Sequence, residues 1–222
     1  MDWKESATNN LLQLSESCNL KDALSEWFYT GNIEDVGRAS ETCELCNYPN
    51  IRYKFEIMNK YNSNTMYVGS ECIGKFEIVA VSHGGIILSK EETIKKVRTD
   101  KRRFIQDAKT KEVLNSLVLL STKDPEFAKT SKSFYEYYQE RGAFTPNQLS
   151  LLIYKLNKNG IKYNKSYFKL IIKRNREKDQ LLNMKDYQIN NIWNCMSESQ
   201  KKWFKDNSNS KNDQTFYYDY FY

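Results

Sequence analysis

Cys43 and Cys46 are separated by two residues in Cys43-Glu44-Leu45-Cys46, and a third thiol follows at Cys72 in Val68-Gly69-Ser70-Glu71-Cys72. Two cysteines at that spacing form a knuckle whose thiolates face one tetrahedral cation, and ligands from elsewhere normally complete the shell. The chemistry expected of Cys43, Cys46 and Cys72 is therefore Zn2+ binding. The fourth ligand is open. His83 is the first candidate, being the one histidine of the chain, eleven residues after Cys72 and beside Gly84 and Gly85. Cys18 and Cys195 are the next, and a water would leave an open site. The competing reading is three small buried hydrophobes, but core packing does not require a two-residue spacing.

Catalytic groups are sparse. A single histidine with no evident nucleophile beside it argues against a hydrolase triad, and Gly84-Gly85 alone is no phosphate-binding loop. Glu71 adjoins Cys72, but the zinc deaminases need His-x-Glu followed by Pro-Cys-x-x-Cys, and the chain has neither in that order. Three thiolates also make a zinc ion electron-rich. The expectation is a protein that is not an enzyme. No run of about 18 apolar residues is present, which excludes a membrane-spanning helix. The start Met1-Asp2-Trp3-Lys4-Glu5 lacks the basic and then apolar run of a signal peptide, so the expected location is cytoplasmic. Thiols there stay reduced, and five cysteines would leave one unpaired in any disulfide scheme.

Several elements must position these thiols. Residues 7–38 read as one or two short helices, with Leu11, Leu12, Leu14, Ala23, Leu24, Trp27 and Phe28 as apolar positions. Ile51, Tyr53, Phe55 and Ile57 alternate with Arg52, Lys54 and Glu56, the period of a half-buried strand. Asn59 to Asn64 is a polar turn, and Thr65 to Val68 returns as the second strand of a hairpin. A short helix capped by Ser70 carries Cys72, and residues 77–88 form a further hairpin or a strand leading into a helix.

From Ser89 onward helix signals dominate. Ser89 and Glu92 form a capping box for a helix to about Leu120 with one break. Another helix spans Asp124 to Arg141 and ends at Gly142. Thr145-Pro146-Asn147-Gln148 opens a helix to Asn159, closed by Gly160. Helices near 164–180 and 186–205 follow. The fold class is α+β and mostly α, a small zinc-braced β-hairpin module with a C-terminal helical bundle. Three segments are expected: 1–88 with N-terminal helices and the zinc module, 89–205 as a basic helical domain, and 206–222 as a polar linker ending in an aromatic tail.

The order of knuckle, β-hairpin and then a thiol at the start of a short helix resembles the treble-clef zinc fingers. In those, two ligands sit three residues apart in the first helical turn, whereas Gly69 and Lys75 occupy the positions three before and three after Cys72 here. Residues 43–76, about a sixth of the chain, are also similar to a group of proteins of bacteria, bacteriophages and mobile elements. The similarity implies a small metal-binding module and names no activity. The Lys-, Asn- and Tyr-rich composition suits a low-GC genome or its bacteriophage.

The net charge of +6 is uneven. Residues 1–50 hold three basic against nine acidic side chains, whereas residues 145–205 hold thirteen against four. Lys162, Lys165, Lys169, Lys173 and Arg176 follow at helical spacing, as do Lys95, Arg98 and Arg102, with Lys101 and Arg103 adjacent. Such rows neutralise phosphates, and Tyr163 and Tyr167 are placed to stack on bases. A lysine row is equally the mark of a solvated helix face. Two functions are consistent with these features. One is an accessory factor that binds DNA or RNA. The other is an inhibitor or adaptor, such as an anti-defence protein, that binds a host protein through the acidic N-terminal segment or the tail Phe216 to Tyr222.

Overall fold

The computed structural model describes residues 3–82 and 84–208. The chain divides into two compact units, Met1–Gln106 and Asp107–Tyr222, each built on its own apolar core. The architecture is α+β and mostly α.

The N-terminal unit runs α1 (Trp3–Leu12), α2 (Leu20–Leu24), β1 (Trp27–Asp35), β2 (Tyr53–Asn59), β3 (Thr65–Val68), α3 (Ser70–Lys75), β4 (Val79–Ala80) and the start of α4 (Lys90–Lys123). Its sheet has the order β3-β2-β1-β4, with β2 antiparallel to both neighbours and β4 parallel to β1. The hairpin forms as its alternation predicts. Phe55 pairs with Val68 and Ile57 with Met66, and all four side chains are buried. Residues 27–35 correct the helical reading of 7–38. Trp27, Phe28, Tyr29, Thr30 and Ile33 are aromatic and β-branched, which suits a strand, and pairing with β2 on one edge and β4 on the other decides the outcome. The register shifts between Tyr29 and Ile33, where Gly31 supplies a φ of 97° that other residues resist.

The polar turn of the hairpin stitches the loop after α1 to the sheet. Asn62 and Asn64 donate their amides to the Leu14 carbonyl, each at 3.1 Å. Asn59 donates to the carboxylate of Glu26 at 2.6 Å, and Glu26 also accepts the backbone N–H groups of Glu16 and Ser17 at 2.9 and 2.8 Å. Glu26 is 1% exposed. Burial alone raises such a carboxyl, but the hydrogen bonds from Ser17, the Glu16 backbone and Asn59 outweigh it and hold the group at about 2. A pKa lowered by folding contributes stability above the ordinary carboxylate range and loses it as pH falls towards the folded value. Glu26→Gln turns an amide N–H towards these donors and should cost about 2 kcal/mol at pH 7. In urea titrations, the gap between wild type and variant should shrink as pH drops from about 4.5 towards about 2.

No glycine or proline interrupts residues 90–123, and α4 is continuous where one break was expected. It spans about 50 Å at 1.5 Å per residue. Ser89 and Glu92 close its capping box as predicted. The helix buries Thr93 and Val97 in the first core and Val113, Leu117 and Leu120 in the second, with no buried residue from 98 to 112. The division into the two compact units falls within α4, between Gln106 and Asp107.

The C-terminal unit continues with a 3-10 turn at Pro125–Phe127, α5 (Ala128–Arg141), α6 (Pro146–Lys158), α7 (Asn175–Leu182), α8 (Asp186–Ile192) and α9 (Glu198–Ser208). Gly142 ends α5 in the left-handed region, and the Thr145–Gln148 capping box opens α6. The expected helix near 164–180 does not form as one element. Residues 161–174 run extended except for a 3-10 turn at Lys165–Tyr167, and α7 begins only at Asn175. One local bond and one distant bridge explain this. Asn164 caps the short turn by accepting from the Ser166 N–H, and Leu170 bridges Phe144 in parallel, with Phe144 donating to the Lys169 carbonyl and Ile171 to that of Phe144. The aromatic tail lies outside the described residues.

Candidate metal centre

The sulfur atoms of Cys43, Cys46 and Cys72 all lie within 4.8 Å of one another, and among the described residues no carboxylate or further cysteine joins them. Cys72 Sγ is 3.6 Å from Cys43 Sγ and 3.2 Å from Cys46 Sγ. A disulfide requires about 2.05 Å. Tetrahedral zinc with Zn–S bonds of about 2.3 Å places its sulfurs about 3.8 Å apart, so the three thiols fit the face of such a site and can hold a metal ion.

Local structure explains the convergence. The knuckle closes as Cys43 N–H donates to the Tyr48 carbonyl at 2.9 Å and Asn47 N–H to that of Cys43 at 2.8 Å, with Asn47 at a φ of 57°. Glu44 ties the knuckle to β3. Its N–H donates to the Tyr67 carbonyl, and its carboxylate accepts from Tyr67 N–H at 2.6 Å. Cys72 lies on α3 directly after β3, and the N-cap is Gly69, one residue before the expected Ser70, with no side-chain cap. Gly69 has a second role, because its N–H donates to Cys43 Sγ at 3.3 Å. The position that cannot supply a ligand thus supplies a hydrogen bond to one.

Electrostatics favour a cation here. A hydrogen bond from Cys72, with backbone N–H groups of Cys46, Gly69 and Leu45, outweighs burial and holds the Cys43 thiol well below the ordinary thiol range. Cys72 is pushed well above the ordinary thiol range, first by its bond to Cys43 and then by burial. One thiolate forms readily and opposes a second, and a divalent cation removes that opposition.

Asn10, which nothing in the sequence pattern marks, holds the knuckle from α1. Its amide donates to the carbonyls of Glu44 and Leu45 at 2.9 and 3.0 Å and to Asn47 Oδ1 at 3.1 Å. Single asparagines on a helix carry no signal for such a contact. The other sequence candidates separate clearly. Cys18 is exposed and outside the thiol group. Cys195 is buried in the core of the C-terminal unit, where burial pushes its thiol up to about 12. His83 lies outside the described residues.

The cationic rows part in the same way. Lys95, Arg98 and Arg102 are exposed on α4 with Lys101 half-buried, on one helix as predicted. Lys162, Lys165, Lys169, Lys173 and Arg176 do not share a helix face, because only Arg176 is in an α-helix. Tyr163 packs edge-on against Phe168 and donates its hydroxyl to Asn157, and Tyr167 lies under Lys109. Both are therefore engaged in the packing of the C-terminal unit.

No family model, curated protein or solved structure matches the chain. Among the described residues no helix is long and apolar enough to cross a membrane.

Cobalt titration followed by thiolate-to-metal absorption should report three sulfur ligands. Cys72→Ser should remove about a third of that intensity and at least tenfold in affinity, and Asn10→Ala should weaken binding about tenfold with the intensity kept.

Proposed function

We propose that this is a non-enzymatic zinc protein in which the metal braces the N-terminal unit, and that it serves as a nucleic-acid-associated accessory factor of bacteriophage or mobile-element origin. The observation that carries the zinc assignment is the triangle of three sulfurs at tetrahedral spacing, two from a knuckle and one from the helix after the hairpin. Soft thiolates select zinc over harder divalent ions. Three of them also leave the ion electron-rich, a weak Lewis acid suited to structure rather than to activating water.

Support for nucleic acid comes from the exposed helical row Lys95, Arg98 and Arg102 and from the overall charge of +6. Phosphate neutralisation by such a row supplies affinity independent of base sequence and steeply dependent on salt.

Metal analysis of the full chain should return one zinc, and His83→Ala and Cys18→Ala should show which side chain, if either, completes the shell. Binding to DNA and RNA oligonucleotides should be measurable at low salt and should weaken linearly in log–log form as salt rises. Metal-free wild-type protein would remove the zinc assignment, and the absence of any oligonucleotide binding at low salt would remove the nucleic-acid role.

A further inference from the structure

All three cysteines line a cleft of about 800 Å3 in the N-terminal unit. A second cleft of about 360 Å3 adjoins it, and the two share Ser70, Glu71, Lys75 and Lys101. Glu71 is the one carboxylate on either wall, against Arg52, Lys75, Arg98 and Lys101. Arg52 is already engaged by Asp35 at 2.8 Å, and the remaining three cations still outnumber the single acid.

Aromatic rings stand beside these charges. Tyr48, just past the knuckle, is 67% exposed, and Trp3 is 41% exposed, so both offer ring surface to the large cleft. Lys75 Nζ lies 5.5 Å from the Trp3 ring centre, and Lys101 Nζ lies 4.9 Å from that of Tyr53. Cations interleaved with exposed aromatic rings are the pattern that holds an unpaired strand, with bases stacked on the rings and phosphates on the ammonium and guanidinium groups. From Lys101 the row runs along α4 through Arg98 in the second cleft to Lys95 beyond it, a rise of about 9 Å. That reach exceeds one phosphate, which favours a strand over a free nucleotide.

We propose that this double cleft is a binding site for single-stranded nucleic acid, with the thiol-bound metal holding its floor and Tyr48 at its rim. The proposal rests on the nucleic-acid reading above and assigns the contact to the N-terminal unit, not to the lysines of 162–176. The metal's part is positional, since it fixes the knuckle that carries Tyr48 and the helix that carries Lys75.

Anisotropy of labelled dT12 and rU12 with the full-length, zinc-loaded chain tests it. The triple variant Lys75→Glu, Arg98→Glu, Lys101→Glu should lose at least tenfold in affinity. Its log–log salt slope should fall by about 2, since each single-strand phosphate contact contributes about 0.7. Tyr48→Ala should lose at least fivefold. The charge-conserving set Lys75→Arg, Arg98→Lys, Lys101→Arg should bind as wild type, and the cobalt spectrum of every variant should match wild type, which separates lost contact from lost fold. Lys162→Glu, Lys169→Glu, Lys173→Glu should change affinity less than threefold. If that last set abolishes binding and the cleft set does not, the cleft assignment is overturned while nucleic-acid association stands. Competition by a 12-base-pair duplex or by AMP equal to that of the unlabelled strand overturns the single-strand assignment. A wild type that binds no oligonucleotide at low salt overturns both readings.

Discussion

Three sulfur atoms gathered closely enough to share one cation are the constraint on which the N-terminal unit is organised. They join a knuckle that has little secondary structure to the short helix that follows the hairpin, and Cys43 and Cys72 are buried among Leu45, Phe55, Val68 and Ile73. Without a cation the group is frustrated. The bonds that favour a thiolate at Cys43 make ionisation of Cys72 harder, and a divalent ion turns that mutual opposition into attraction. A metal ion bound at such a site contributes to folding outright, because the unfolded chain does not hold the ligands together.

The polar contacts around the site share the work of holding the knuckle in place. Asn10 reaches it from α1, Glu44 fastens it to β3, and the Gly69 N–H meets the Cys43 sulfur. On the far side of the hairpin, Glu26 and the asparagines 59, 62 and 64 bind the loop after α1 to the turn. A buried carboxylate is tolerated there because its lone pairs meet donors from three residues. The same hydrogen bonds that position the chain also keep the group charged.

The charge of the chain takes on a different meaning once residues are placed. By count, the basic half is C-terminal, yet lysines spaced for a helix face are spread over an extended segment pinned by the Phe144–Leu170 bridge. The cations that do gather, Lys75, Arg98 and Lys101, come from two separate helices and line one cleft beside the three thiols. Spacing arguments hold only while the element they assume exists.

Local signals determined a good deal by themselves. The Cys43–Cys46 knuckle, the alternation and polar turn of the hairpin, the capping boxes at Ser89 and Thr145 and the stop at Gly142 are each written in a short stretch of chain, so the sequence alone was enough to read them. The unbroken α4 was also written locally, in the absence of any glycine or proline. Other features waited on tertiary structure. Trp27 to Asp35 became a strand because two other strands pair with it, Asn10 became a clamp because α1 lies against the knuckle, and residues 161–174 stayed extended because Phe144 bridges them. In each case the deciding partner lies far along the chain, beyond the range over which periodicity or capping carries information. The three thiols that come together were legible in the sequence; the cleft they line arises only where the knuckle, α3 and α4 come together.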